Sequence, residues 1–298
     1  MKYIISGGTG FIGSRVVDRL LANTDYVAIW SRKPGLEKRI GVASHSWDPL
    51  NEEPPEESVN NMDTVIHLAG EPVAQRWNPE VRRRIQDSRV LGTRRLVDVI
   101  GRVKHKPTTL IAASAIGYYG DRGAEVLEEN AGPGKGFLAR VCQGWEAEAD
   151  RAAQFGVRVV KVRIGIVLGQ EGGALQRMAP VFRMGLGGKL GSGRQYMPWI
   201  HVDDVAGMIL HAANHDVRGA MNCTAPNPVT NAAFTSALAS AVHRPAILPV
   251  PGLALRLLFG ELGKHMLDSA RVVPRAAIDS GYQFQYPELV PALTNLFR

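Results

Sequence analysis

The sequence predicts an α/β protein, a doubly wound parallel sheet with a smaller C-terminal α/β domain, on three observations. Short apolar, β-branched runs at 3–5, 26–30, 63–70, 108–113 and 157–162 alternate with segments of helical period. Residues 6–14, S-G-G-T-G-F-I-G-S, stand between the first of those runs and the helical segment 15–21. Beyond Gly169 the alternation gives way to glycine-rich connections and short helices. Residues 1–170 therefore form a dinucleotide-binding Rossmann domain, to which 202–224 return, and 171–298 form a smaller substrate-binding domain.

The glycine turn has a physical reading at each position. Gly7 allows a tight bend with positive φ, Gly10 lets the backbone approach a pyrophosphate, and Gly13 lets the helix pack against the strand. The unsatisfied N–H groups at the helix start then face the phosphates. The second strand ends in Ser31, Arg32 and Lys33, where an NAD enzyme places an acid to bond the ribose hydroxyls. A dianionic 2′-phosphate wants a hydroxyl and a guanidinium, so the expected cofactor is NADP(H).

Residues 34–61 are polar and rich in Pro and Glu, with a short strand at 44–47. The run 63–70, D-T-V-I-H-L-A-G, ends in small residues, Ala69 and Gly70, suited to lie against a flat ligand. His67, inside that run, reads as a satisfied buried histidine. Asn78-Pro79-Glu80 opens a helix that runs to Gly101, with Asn as cap and Pro at the first position. Val81, Ile85, Ser88, Gly92, Leu96 and Ile100 share its apolar stripe, and Arg89 falls within it. A guanidinium there needs a partner, either a cofactor phosphate or ribose or a carboxylate in the core.

The strand at 108–113 leads into S-A-I-G-Y-Y-G, putting Ser114, Tyr118 and Tyr119 at the sheet edge where open α/β sheets bind ligands. Residues 121–135 read as a mobile loop and candidate lid. A helix at 137–155, the strand 157–162 and a turn from Arg163 to Gly169 follow. Further helices are expected at 174–184, 205–213, 231–242, 253–260 and 288–297, with Asp203 or Asp204 capping the second of these, and 219–224 reads as a strand rejoining the main sheet.

Composition narrows the function classes. Lys plus Arg exceed Asp plus Glu by 35 to 28, but no aromatic-rich binding module accompanies the basic runs at 82–84 and 104–106. A basic cleft for an anionic cofactor or substrate accounts for part of the excess, and nucleic acid is not an expected partner. No apolar stretch is long enough to span a bilayer, and Met1-Lys2-Tyr3 runs straight into the first strand, so a cytoplasmic protein is expected. Cys142 and Cys223 read as buried thiols. His211 and His215 have helical ligand spacing but no third ligand, so no metal is expected.

Taken together, these motifs resemble an atypical extended short-chain dehydrogenase/reductase, and the resemblance covers nearly the whole chain. It rests on Gly7, Gly10 and Gly13, on D-x-x-x-H-L-A-G ending at Gly70, on R-V-L-G-T from Arg89, on S-A…Y-G from Ser114 to Gly120, on R-x-G-x-V-L-G from Arg163, and on W-I-H-V-D-D-V-A from Trp199. More narrowly the chain is similar to the YfcH-like "epimerase family protein" branch, on S-A-x-G-Y-Y-G, G-L-G-G-x-x-G-x-G and P-W-I-H. The resemblance implies cofactor contacts from Gly7, Gly10, Phe11, Ile12, Gly13, Ser31, Arg32, Leu68, Ala69, Gly70, Arg89, Ser114, Arg163 and Ile166. Ser114 takes the place of the superfamily's catalytic serine with a one-residue adjustment and Ala115 without it, and Ser114, Tyr118 and Tyr119 are the residues positioned to supply a catalytic proton.

Two departures matter. Active members of the superfamily carry Y-x-x-x-K at the helix that here begins near Phe137; alignment on Trp145-Glu146 puts Leu138 and Cys142 in those places. Nucleotide-sugar enzymes of the extended class place an arginine three residues before I-H-V, where this chain has Met197. The leading expectation is an NADP(H)-dependent oxidoreductase on a small molecule without the usual relay. The alternatives are a non-catalytic NADPH-dependent regulatory protein, for example in cell division, and a nucleotide-sugar epimerase.

Overall fold

The computed structural model describes residues 1–33 and 39–298, so the first part of the polar stretch, 34–38, lies outside the described residues. The chain runs β1 (Lys2–Ser6), α1 (Phe11–Ala22), β2 (Tyr26–Ser31), β3 (Val42–Ser46), α2 (Glu56–Val59), β4 (Thr64–His67), α3 (Pro79–Arg102), β5 (Thr109–Ala115), β6 (Val126–Leu127), α4 (Phe137–Asp150), β7 (Arg158–Ile164) and β8 (Ile166–Leu168). It continues through α5 (Gly173–Arg183), β9 (Tyr196–Met197), β10 (Trp199–His201), α6 (Val202–Asn214), β11 (Gly219–Cys223), β12 (Val229–Thr230), α7 (Asn231–Ala241), α8 (Gly252–Phe259), α9 (Glu261–His265), β13 (Arg271–Val272), α10 (Arg275–Asp279) and α11 (Leu289–Phe297).

Seven strands form one parallel sheet in the order β11-β7-β5-β4-β1-β2-β3. The order reverses at β1, which pairs with β2 on one side and β4 on the other, so the crevice of a doubly wound sheet opens at its C-terminal end. Both faces are covered, as continuous apolar strands require. On one face α1 and α6 bring Val16, Leu20, Val205 and Ile209 onto Ile5, Ile29 and Val162; on the other α3 brings Leu96, Val97 and Ile100 onto Ile4, Val65 and Leu110. A third core, around Phe182, Trp199, Phe234, Leu238 and Leu293, belongs to the C-terminal part.

Several local expectations are corrected. Helix α1 begins at Phe11, not Arg15, because Gly10 already accepts the first helical bond from the Ser14 N–H at 2.8 Å. The third strand is Val42–Ser46, and Trp47 lies just past it, buried. The cap of α6 is neither Asp203 nor Asp204 but His201, whose Nδ1 accepts the Asp203 N–H at 3.1 Å. Asp204 is buried and holds the C-terminal segment instead, accepting the N–H groups of Gln285 (2.8 Å) and Tyr286 (2.9 Å) and the Tyr282 hydroxyl.

The candidate lid is not free to swing. β6 pairs with β13, and the Glu129 carboxylate accepts N–H bonds from Asn222 (2.9 Å) and Ala276 (3.1 Å), so 121–135 is an arm strapped to β11 and the C-terminal segment. Among the described residues no helix is long and apolar enough to cross a membrane. None of their His, Cys, Asp and Glu side chains gather in a group of three or more that would hold a metal. His211 instead stacks on His215 at 3.9 Å and bonds the Ser280 hydroxyl.

Candidate functional site

A groove of about 1190 Å3 runs across the C-terminal ends of β1, β2 and β4. Its floor is the glycine turn. Gly7 has φ +72°, and a Cβ there would press on the main chain of Leu68 and Ala69 at 3.1 Å. A Cβ at Gly13 would overlap the Gly7 carbonyl oxygen, so the close meeting of turn and helix exists only with glycine.

No side chain caps α1, and its first turn holds no acid. The N–H groups of Phe11, Ile12 and Gly13 have no helical acceptor and sit on residues that line the groove. Uncapped donors and the positive end of a helix make a seat for an anion. At the β2 end, Ser31, Arg32 and Lys33 line the groove; Arg32 is exposed and has no hydrogen bond or ion pair among the described residues. Glycines that a side chain would fill, free N–H groups and a free guanidinium fit a dinucleotide carrying an extra phosphate.

The groove brings together Gly7, Gly10, Phe11, Ile12, Gly13, Ser31, Arg32, Leu68, Ala69 and Gly70. The remaining residues singled out from the sequence lie elsewhere. Arg89 sits behind Gly70, where a Cβ would meet its guanidinium at 3.2 Å. Its partners within the described residues are main-chain carbonyls, not a carboxylate. Nη1 donates to the carbonyls of Glu71 (2.9 Å) and Ile85 (3.1 Å), and the guanidinium lies 5.1 Å from the Trp145 ring centre. Burial lowers its affinity for a proton. Ile166 packs against the C-terminal core, while its neighbours Ile164 and Val167 face the groove.

Ser114, Tyr119 and Arg163 form one buried network behind the groove. Arg163 is 4% exposed and grips Glu146 with two bonds, Nε to Oε1 at 2.8 Å and Nη2 to Oε2 at 2.9 Å. Ser114 donates to Glu146 Oε1 at 2.6 Å. The Tyr119 hydroxyl donates to Asn222 Oδ1 at 2.7 Å and accepts from Arg163 Nη1 at 2.8 Å. Burial works against the Arg163 charge, but the bonds to Glu146 and Tyr119 outweigh it and hold the guanidinium above its usual range. Burial also raises the Tyr119 phenol, which stays protonated. Ser114, Tyr119 and Arg163, expected in catalysis or at the cofactor, thus lie outside the groove lining, with their side chains bonded to one another or to Glu146 and Asn222.

Tyr118 differs. It is half-buried, its ring lies under the Arg163 guanidinium at 3.6 Å, and its hydroxyl has no hydrogen bond among the described residues. Leu138 and Cys142, at the positions of the missing relay, both stand against Gly117 in the turn just past β5. Burial pushes the Cys142 thiol up to about 11, so it supplies no thiolate at neutral pH. His67 is buried as expected but only half satisfied: Nδ1 lies 2.6 Å from the Ser6 hydroxyl and the ring 5.6 Å from that of Trp47, while Nε2 has no hydrogen-bond partner among the described residues.

The sequence reading missed the wall formed by Trp47, Asp48 and Pro49. These residues directly follow β3, and the end of any strand beside the crevice is a candidate lining position; placing the strand at 44–47 hid them.

Comparisons with known proteins agree with this geometry. Residues 3–224 match the NAD dependent epimerase/dehydratase family, and residues 250–296 match a domain of unknown function, DUF1731. The chain is 40% identical over 303 residues to the chloroplastic epimerase family protein SDR39U1 homolog of Arabidopsis thaliana, covering 100% of this chain and 87% of that one. The crystal structure of human epimerase family protein SDR39U1 (isoform 2) with NADPH superimposes with a TM-score of 0.89 at 34% identity, covering 100% of this chain and 99% of the human one. The nucleoside-diphosphate sugar epimerase of Corynebacterium glutamicum has a TM-score of 0.80 at 32% identity, covering 100% of this chain and 58% of that one. The chain belongs to the NAD dependent epimerase/dehydratase family, as an atypical extended short-chain dehydrogenase/reductase with a Rossmann sheet.

Proposed function

We propose that the chain is an NADPH-dependent reductase of a small molecule, working without the Tyr/Lys proton relay. The observation that carries the reading is the uncapped start of α1 over a glycine cradle, closed at the β2 end by Ser31 and by Arg32, which is unpaired among the described residues. The N–H groups of Phe11, Ile12 and Gly13 bind the pyrophosphate, Ser31 and Arg32 bind the 2′-phosphate, and Leu68 to Gly70 lie along the cofactor. The NADPH in the crystal structure of the human relative supports the same cofactor here. When bound, NADPH supplies a hydride.

Tyr118 donates the proton that reduction of a carbonyl requires. Among Ser114, Tyr118 and Tyr119 it alone keeps a hydroxyl without a protein partner among the described residues. Arg163, stacked on its ring and pinned by Glu146, holds it in place.

The sugar-nucleotide reading finds support in the Corynebacterium relative. Two side chains oppose it. Leu138 replaces the phenol that would take the proton from a sugar hydroxyl as its hydride passes to the cofactor, and Met197 replaces the diphosphate-binding arginine while its Sδ accepts an N–H from Asn231 at 3.1 Å. A regulatory protein that binds NADPH without turnover is the second reading, favoured by Leu138 and Cys142.

The deciding experiment follows NADPH fluorescence in stopped flow against a panel of carbonyl and enone compounds. Substrate-dependent oxidation is expected, and Tyr118→Phe is expected to lower kcat about 100-fold while leaving the NADPH Kd unchanged. Full kcat in Tyr118→Phe removes Tyr118 as donor. NADPH bound but unoxidised across the panel favours the regulatory reading.

A further inference from the structure

A second cavity, of about 650 Å3, opens in the C-terminal domain between α7 and the loop after it, and shares no lining residue with the cofactor groove. One wall is the face of α7 that carries Thr235, Ser236 and Ser240. Lys189, His243 and Arg244 approach from the others, and no acid lines the space. The volume lies in the range of small-molecule sites.

The charges facing it are unspent. Among the described residues the Lys189 ammonium has no hydrogen bond or ion pair. Arg244 bonds only main-chain oxygens, those of Arg183 (3.1 Å) and His243 (3.4 Å), so its charge has no counter-ion. Thr235 is 4% exposed; its hydroxyl is closed off from the open space and has no hydrogen-bond partner among the described residues. A threonine inside a helix ordinarily turns its hydroxyl back onto the carbonyl one turn earlier, and a buried hydroxyl left unpaired is destabilising.

The walls are held in position. The Val250 N–H donates to the Lys189 carbonyl at 2.8 Å, the Gly191 N–H donates to the Val250 carbonyl at 2.9 Å, and the Leu190 N–H donates to Asn231 Oδ1 at 2.8 Å. A side chain at Gly188 would collide with the Leu248 carbonyl, so this glycine lets the 248–250 segment lie against the chain beside Lys189. The remaining lining is apolar: Ala232, Ala239, Ala246 and Ile247.

Cations and an imidazole at one set of walls, the accessible hydroxyls of Ser236 and Ser240 on a helix face and methyl groups between them suit a multiply charged oxyanion attached to a small hydrocarbon body. We propose that this cavity binds a small phosphomonoester, its phosphate held by Lys189, Arg244 and the hydroxyls of Ser236 and Ser240. The site is independent of the cofactor groove.

Calorimetric titration of the full chain saturated with NADPH, using phenyl phosphate and inorganic phosphate as probes, tests the site with the cofactor phosphates already in place. Saturable binding of phenyl phosphate is expected, with inorganic phosphate about tenfold weaker because it lacks the apolar body. Lys189→Gln, an exposed change that leaves the fold intact, is expected to weaken phenyl phosphate about tenfold. The proposal is overturned by absence of saturable binding at millimolar phenyl phosphate, by equal affinity for both probes, which marks an adventitious ion only, or by unchanged affinity in Lys189→Gln.

Discussion

The cofactor groove and the Arg163 network lie at the ends of neighbouring strands of one sheet, and they spend their polar groups in opposite ways. The groove is built from main chain and leaves its N–H groups and the Arg32 guanidinium without partners among the described residues. The network is built from side chains that bond one another: Ser114, Tyr119, Glu146, Arg163 and Asn222 meet beneath the surface. Ser114 and Tyr119, catalytic-looking in the sequence, are thus bonded within the fold, while the residues that look blandest, three glycines, shape the groove floor. The network also ties β5, β7 and β11 to the strapped arm, because Arg163 Nη1 reaches the Glu129 carbonyl and the Asn222 N–H reaches its carboxylate.

The contrast is broken most severely from the network side. Arg163→Leu leaves the Glu146 carboxylate buried with only Ser114 as donor, and is expected to cost about 3–5 kcal/mol in urea unfolding. NADPH affinity of the protein that remains folded is expected to change little, since Arg163 does not line the groove. A large loss of affinity at unchanged stability would place Arg163 in the cofactor site after all.

His67 sharpens the comparison through pH. It is fully buried beside the groove floor, and burial first, then the Arg89 charge, lowers its pKa from 6.5 to about 4. Below pH 6.5 the unfolded chain takes up a proton that the folded chain refuses, so stability falls with pH from about 6.5 down to about 4 and then levels off. The full effect is about 3 kcal/mol. Thermal melts between pH 7.5 and 4.5 are expected to show it in the native protein, and a much flatter profile in His67→Asn.

Much of the fold was legible because its signals are local. The glycine turn, the Asn78-Pro79 helix start and the return of 219–224 to the sheet need only neighbours in the chain to be read, and the structure has α3 capped by Asn78 and β11 parallel to β7. The groove residues were legible for the same reason: the turn, the strand end after β2 and the small residues after β4 are each a few consecutive positions. What escaped depends on partners far away in sequence. Arg163 meets Glu146 at a separation of 17 residues and Tyr119 meets Asn222 at 103, so nothing near Ser114 or Tyr119 reveals that their hydroxyls are already taken. The polar composition of 121–135 suggested a loose lid because polarity records exposure to water, not the two N–H bonds that Glu129 accepts across the fold. Asp203 and Asp204 are good capping residue types, but His201 comes first in the chain and takes the N–H, freeing Asp204 to hold residues 282–286.

The central claim is that the groove, and within it Arg32, reads the 2′-phosphate while the Arg163 network does not touch the cofactor. The most direct test is the pair of dissociation constants for NADPH and NADH in the native protein and in Arg32→Glu, a substitution on an exposed side chain that leaves the core untouched. The account predicts that the native protein prefers NADPH, and that Arg32→Glu weakens NADPH about tenfold or more, roughly 1.4 kcal/mol, with NADH binding and Tm unchanged. Equal loss for both cofactors, or no loss for NADPH, would contradict it.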